Sequence, residues 1–453
     1  MRQRLTSLFL AAAVALPGLR VHAASVNPAD SMWKDPDFIK SFTGSYGFLT
    51  GAEPKVSDKE IELLREVFDL IKVQPALAIQ HLHKNAGTDA SAAFDFVLGN
   101  LQFQAGALPE ARRAYETAIK KFPNFRRAYK NLGLVLVQAG DFDAAIPVIS
   151  KALELGEIDG RAYGLLGYGY FKAGRYYPAE AAYRQAILMQ PDVRDWKVGL
   201  ASCLLETARH GDAIALFDTL IAETPGQADY WLLQANALIG AQQPGRAAQN
   251  IEFVRCLGQA DTATLNLLGD IYMNLQAPDL ALDAYLAAAD LAGDKDLHSA
   301  IRAAELLTRA GNNDEAIAML AKINQRFAGK LDRGQQLKLL TIEAKNARAS
   351  GDQKRALELL EQIVERDTLN GEALIELANH YAGEGDLARA TVRFEQAAKI
   401  ADTERPALVA HAQTLVRAGD YPKALPLLRR ALQLRSDPHL ETYTARVERA
   451  ARR

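Results

Sequence analysis

The chain has 453 residues, of which 49% are apolar and 24% charged, and its formal charge is −2. That length exceeds what one hydrophobic core organises, while the apolar content is that of an ordinary folded protein. The charge balance excludes a strongly basic nucleic-acid binder, and 8 scattered histidines with 2 cysteines form neither a zinc framework nor a disulfide scaffold.

Taken in chain order, Arg2 and Arg4, the apolar stretch Leu5 to Leu19 and the small-residue site Val21-His22-Ala23 form a secretory signal over residues 1–23, with cleavage expected after Ala23. The stretch is shorter than the roughly 20 residues a span requires, and Pro17 and Gly18 interrupt it. An uncleaved anchor is therefore disfavoured, and direct membrane insertion is not expected elsewhere, because each later apolar run alternates with charge. Residues 24–55 lack a helical period and cluster Trp33, Phe38, Phe42, Tyr46 and Phe48 among Pro and Gly. Such a segment either packs over the elements that follow or binds a partner.

Ser57-Asp58-Lys59-Glu60 has the spacing of a capping box and predicts a helix through Ile71. A second helix over Ala76 to Lys84 completes a degenerate pair within 56–91. From residue 92 one pattern recurs: a small residue, Ala twelve positions later, and a large apolar residue four after that. It reads Gly99, Ala111, Tyr115; Gly133, Ala145, Ile149; Gly167, Ala179, Tyr183; Ala201, Ala213, Phe217; Ala235, Ala247, Ile251; Gly269, Ala281, Tyr285, on a strict period of 34. Four further units are anchored on Ala316, Ala356, Ala390 and Ala424.

Such periodicity predicts an all-α fold, a right-handed superhelical solenoid of about ten helix-turn-helix repeats whose function lies in a long surface. The small eighth residue of each first helix lets the second helix approach, with the Ala at the twentieth position as its counterpart. Gly106, Gly140, Gly174, Gly311, Gly351, Gly385 and Gly419 mark the turns, and Pro123, Pro191 and Pro225 close second helices. Between Ala304 and Ala344 the spacing is 40, and a polar connection at 327–336 separates a front block of seven repeats, 92–326, from a back block of three, 337–438. Residues 439–453, rich in Arg and Glu, are expected to form a capping helix. Cys203 and Cys256 fall on helices that a stack keeps apart, so two buried free thiols are expected.

The repeated unit resembles the tetratricopeptide repeat family. The third repeat carries most of that family's pattern in Tyr163, Leu166-Gly167, Tyr170, Gly174, Ala179, Tyr183, Ala186 and Pro191. More narrowly, the segment from Trp33 to Gly47, with Leu98-Gly-Asn and Ala128-Tyr-Lys-Asn-Leu-Gly133, resembles exported tetratricopeptide proteins that accompany TonB energy-transduction systems. That resemblance implies a periplasmic accessory of outer-membrane transport, with TonB-system components as protein partners. An assembly scaffold for polysaccharide export or secretion would use the same fold, and neighbouring genes would separate the two.

In the expected stack, the second, fifth, sixth, ninth, twelfth and thirteenth positions of each first helix face inward. The candidate peptide groove is then Phe96, Asn100, Phe103, Lys130, Asn131, Leu134, Arg161, Leu165, Tyr168, Phe171, Ser202, Leu232 and Asn236. Amide side chains pair with a peptide backbone and rings take apolar side chains. Some family members hold a terminal carboxylate with Lys, Asn, Asn, Lys and Arg over three repeats. Asn100, Asn131 and Arg161 match, but Phe96 and Leu165 cannot donate, which favours an internal segment over a chain end. The back block instead places Arg302, Glu305, Arg309, Lys338, Lys345, Arg348, Glu376 and Arg417 inward, a charged wall that either binds a second partner by polar contacts or, as the simpler reading, is solvated surface.

No catalytic, cofactor-binding or metal-binding set is read from the chain. His81 and His83 lie on different sides of a helix, and neither His-Glu-x-x-His nor Gly-x-Ser-x-Gly occurs. A hydrolase or carbohydrate-processing enzyme is the least supported reading. Cofactors and nucleic acid are not expected, and the sequence does not indicate an oligomeric state.

Overall fold

In the structure, a computed structural model, each sequence recurrence becomes one antiparallel pair of helices. The described residues are 35–36, 53–85, 87, 89–293 and 296–452. The secretory segment and the aromatics Trp33, Phe38, Phe42, Tyr46 and Phe48 lie outside them. Among the described residues there are 23 bounded α-helices and no strand. The fold is an all-α solenoid of repeated helix pairs. None of these helices is long and apolar enough to cross a membrane.

The chain divides into two units, Met1–Gln259 and Ala260–Arg453. In the first unit the helices are α1 Asp58–Val73, α2 Pro75–Asn85, α3 Ala92–Gln104, α4 Leu108–Lys121, α5 Arg126–Gln138, α6 Phe142–Glu154, α7 Gly160–Lys172, α8 Tyr176–Met189, α9 Arg194–Glu206, α10 His210–Glu223, α11 Ala228–Gly240 and α12 Pro244–Cys256. From α3 onward, odd-numbered helices are the first of each pair. Each packs on the even-numbered helix that follows, and successive first helices also touch from α3 through α9.

Local sequence explains the pairs. Asp159 caps α7 by accepting from Ala162 N at 2.6 Å, and the predicted capping box of α1 has Glu60 accepting from Ser57 N at 2.8 Å. Where the two helices of a pair meet, the alanines of the second helix are sealed: Ala111, Ala145, Ala179, Ala213 and Ala247 are all 0% exposed. So are Tyr115, Ile149, Tyr183, Phe217 and Ile251 one turn later, each burial contributing about 2–3 kcal/mol. The small positions opposite them have no room to spare. A Cβ on Gly99 would lie 2.7 Å from the Tyr115 ring, one on Gly133 2.4 Å from Ile149, and one on Gly164 2.3 Å from the Trp196 ring. Side-chain volume and backbone approach are thus matched within and between pairs.

The turn inside a pair requires a left-handed residue. Glycine supplies it in most repeats, for example Gly174 at φ 71°, but Ala208, Gln242 and Gln276 take φ of 57°, 59° and 57° without glycine's freedom.

The second unit contains α13 Thr262–Asn274, α14 Pro278–Leu291, α15 Leu297–Arg309, α16 Asn313–Arg326, α17 Arg333–Ala349, α18 Gln353–Arg366, α19 Gly371–Gly383, α20 Leu387–Ala398, α21 Glu404–Arg417, α22 Tyr421–Leu434 and α23 Pro438–Ala451. Its interior runs as three apolar clusters, built on Tyr285 and Phe327, on Tyr381 and Phe394, and on Leu428 with Val447. The 40-residue spacing is absorbed by a first helix of 17 residues, α17, where α15 has 13. Asp332 and Gln335 cap it reciprocally at 2.8 and 2.9 Å, so the last part of the polar stretch 327–336 is helical. That stretch lies inside the second unit. The terminal helix α23 buries Leu440, Thr444 and Val447 and leaves Arg446 and Arg449 exposed.

Candidate protein-binding face

Because α3, α5, α7, α9 and α11 begin at residues 92, 126, 160, 194 and 228, residues 34 apart occupy equivalent places on successive first helices. This register defines a row of equivalent positions along the first helices of the first unit. Of the groove residues named from the sequence, Phe96, Asn100, Phe103, Asn131, Leu134, Leu165, Tyr168 and Leu232 are buried. Lys130, Arg161, Phe171, Ser202 and Asn236 are half-buried. The expected open wall is therefore largely a packed one.

Named contacts account for part of the difference. Phe96 packs on Phe125 with ring centroids 4.8 Å apart and on Tyr115 at 6.0 Å. Arg127 lies over the Phe96 ring at 4.9 Å and reaches Glu53 at 3.0 Å, joining the residues before α1 to α5. Tyr168 meets Phe142 edge-on at 6.1 Å, and Lys172 lies over the Tyr168 ring at 5.5 Å. Lys130 is engaged by Glu157 and Asp159. Ser202 donates back to Val198 O of its own helix at 2.9 Å.

Asn100 and Asn131 form the polar centre of this face. The Asn100 Oδ1 accepts from Tyr115 Oη at 2.6 Å and from Asn131 Nδ2 at 2.8 Å, with both asparagines 0% exposed. One donor, Asn100 Nδ2, and one acceptor, Asn131 Oδ1, are left without a partner. Buried amide atoms in that condition cost free energy, and one N–H beside one C=O is the complement of a peptide group. Terminal-carboxylate capture does not follow from this arrangement, since the asparagines are occupied with Tyr115 and with each other.

Farther along, two charged positions went unnamed in the sequence. Asp195 and Asp229 hold the second position on α9 and α11, where α5 and α7 carry Arg127 and Arg161. The signal was the change of sign at one register position. Asp195 is half-buried, and burial raises its carboxyl above the usual range against the pull of Arg194. On the neighbouring seam Glu180 is held low: burial would raise it, but Arg184 and Arg209 donate to it at 2.8 Å each and prevail. Of the thiols, Cys203 is buried as expected and pushed up to about 12 by burial. Cys256, the last residue of α12, is exposed instead, because it faces away from the buried stripe of Ala248, Ile251 and Val254.

Models of the tetratricopeptide repeat match residues 96–159, 170–237, 343–406 and 407–439, about half of the chain. The chain belongs to the tetratricopeptide repeat family. This tetratricopeptide repeat protein is 33% identical over 104 residues to the small glutamine-rich tetratricopeptide repeat-containing protein 2 of Mycosarcoma maydis, covering 23% of this chain and 30% of that one. It is 24% identical over 268 residues to DnaJ homolog subfamily C member 3 of Gallus gallus, covering 53% of each. The chain thus spans about a third of the first relative and about half of the second. Among solved structures, a tetratricopeptide repeat protein from Parabacteroides merdae aligns with a TM-score of 0.39 at 19% identity, over 55% of this chain and 98% of that one. YrrB, described as having an unusual peptide-binding site, aligns with a TM-score of 0.38 at 19% identity, over 41% of this chain and 94% of its own. The family's repeats support protein–protein contact.

Proposed function

We propose that this protein is an exported, periplasmic scaffold that holds extended protein segments along the first-helix face of its first unit and serves a TonB-linked transport complex. The observation that carries segment binding is the unpartnered donor and acceptor of Asn100 and Asn131 beside Phe96 and Phe103. Because Asn100, Asn131 and Phe96 are 0% exposed and Phe103 2%, a peptide group satisfies both atoms, and the rings take up apolar side chains, as the packing over them opens. Export is supported by Arg2, Arg4 and the apolar stretch before Ala23, and the TonB association by the resemblance of Trp33 to Gly47. The mode of action is proximity: partners held on one scaffold meet at a raised local concentration.

The test begins with purified mature protein as bait in periplasmic extract, where TonB-system components are the expected catch. Recovery of none of them removes the transport assignment. The face itself is tested by Asn100→Ala with Asn131→Ala, expected to weaken capture about tenfold or more with an unchanged helical circular-dichroism signal. Tyr115→Phe, which removes a donor to Asn100 but leaves both free amide atoms in place, is expected to retain capture. Equal affinity in the double variant and wild type would show that segments bind elsewhere.

A further inference from the structure

Among the described residues α1 packs on α2 and α23 on α22, whereas the helices between them have neighbours before and after. Helix α1 buries Leu64 and Val67 and leaves Glu62, Glu66, Asp69 and Val73 exposed. Val73 is 77% exposed and Leu77, at the start of α2, 45%, the condition of an apolar face that lacks its next layer. A cavity of about 580 Å³ opens there, lined by Glu66, Asp69, Leu70, Val73 and Gln74, so that apolar side chains lie beside two carboxylates. Acids near the C-terminal end of a helix work against its dipole, and capping does not account for these. Inside the chain they have only solvent-facing partners of little worth, Lys72 at 3.2 Å from Asp69 and His81 at 3.6 Å from Glu66.

Helix α23 is the opposite in charge. It buries Leu440, Thr444 and Val447 and exposes Ala445, Arg446 and Arg449, with Arg452 continuing the row. Its acids are engaged: Glu441 accepts from Ser436 Oγ at 3.0 Å, and Glu448 meets Arg429 at 2.7 Å. Arg449 donates only to Ala445 O of its own helix, and none of the three arginines forms an ion pair among the described residues. The helix dipole accounts for Arg449 in the last turn but not for Arg446, more than a turn from the end.

We infer that the α1 end of one molecule receives the α23 end of a second copy. Arginine stems of α23 lie on Leu70 and Val73, and their guanidinium groups reach Glu66 and Asp69. The small side chain of Ala445 leaves room beside Arg446 and Arg449 for Val73 to approach. Because each copy carries one end of each kind, the contact is heterologous and propagates head to tail. It joins two single helices, which places it below about 1,200 Å² and makes it weak, populated from about ten micromolar upward. The inference is independent of segment binding, and it would lengthen whatever surface the repeats present.

Sedimentation velocity of the full-length mature protein, from about 2 to about 200 μM at pH 7, tests this. The weight-average sedimentation coefficient is expected to rise with concentration at low salt and to stay at the monomer value in about 0.5 M salt. Glu66→Lys with Asp69→Lys should abolish the rise, and so should Arg446→Glu with Arg449→Glu, each with an unchanged helical circular-dichroism signal. An equimolar mixture of the two variants should associate again, since each then offers the other two complementary ends, a recovery that misfolded variants would not give.

Wild type that remains a monomer throughout would overturn the inference. So would association that the α23 variant leaves intact, which would place the contact elsewhere or between two α1 helices, or a mixture of the variants that stays monomeric.

Discussion

At Gly164 the sequence pattern alone undersells the constraint. The glycine sits one position from the hydrophobic seam, yet the Trp196 ring of the next repeat occupies the space where a Cβ would be. Gly164→Ala is therefore expected to destabilise the first unit by about 1–3 kcal/mol through overpacking. At Ala208 the opposite holds: its φ of 57° is costly for an L-residue, and Ala208→Gly is expected to stabilise by up to about 1 kcal/mol. Thermal melts of the two variants followed by circular dichroism should move in opposite directions. The small residues at helix crossings were legible because spacing alone identifies them. The partners of Asn100 and the exposure of Cys256 were not, since both depend on how neighbouring helices rotate about their axes.

Among elements, α8 and the turn that opens α10 are tied together through Glu180. Its carboxylate on α8 receives Arg184 of the same helix and Arg209, which precedes α10. Because the folded pKa is depressed, the stabilisation is present above the unfolded value of about 4.3 and is lost as pH falls through the folded value. Glu180→Gln should cost about 1–2 kcal/mol at pH 7, kept modest by the partial exposure of both arginines, and less at pH 3. Urea midpoints measured at the two pH values check this, and an equal deficit at both would show that packing, not charge, is lost. Helix positions were readable here because each second helix repeats its buried alanine. The first turn of α17 was not, since Asp332 and Gln335 read as polar loop until their reciprocal hydrogen bonds are seen.

For the whole molecule, a solenoid distributes stability over nearest-neighbour seams, so cooperativity extends only as far as neighbouring repeats support one another. The units Met1–Gln259 and Ala260–Arg453 each have interiors of their own. Equilibrium urea unfolding is expected to show two transitions, one matched by the melting of a chain ending at Gln259. A single transition reported alike by Trp231 fluorescence and by hydrogen exchange in α22 would make the chain one cooperative block. The repeat count and helical class were legible from the period of 34. The place of division was not, since the spacing stays regular across Gln259 and is broken only later, between Ala304 and Ala344.

The unequal fate of the two thiols has a practical side. Cys203 is shut away and reluctant to ionise, whereas Cys256 stands in water at the end of α12. A maleimide dye added to the unaltered protein will therefore attach at one address in the fifth repeat, giving a native fluorescent reporter for occupancy without engineered cysteines.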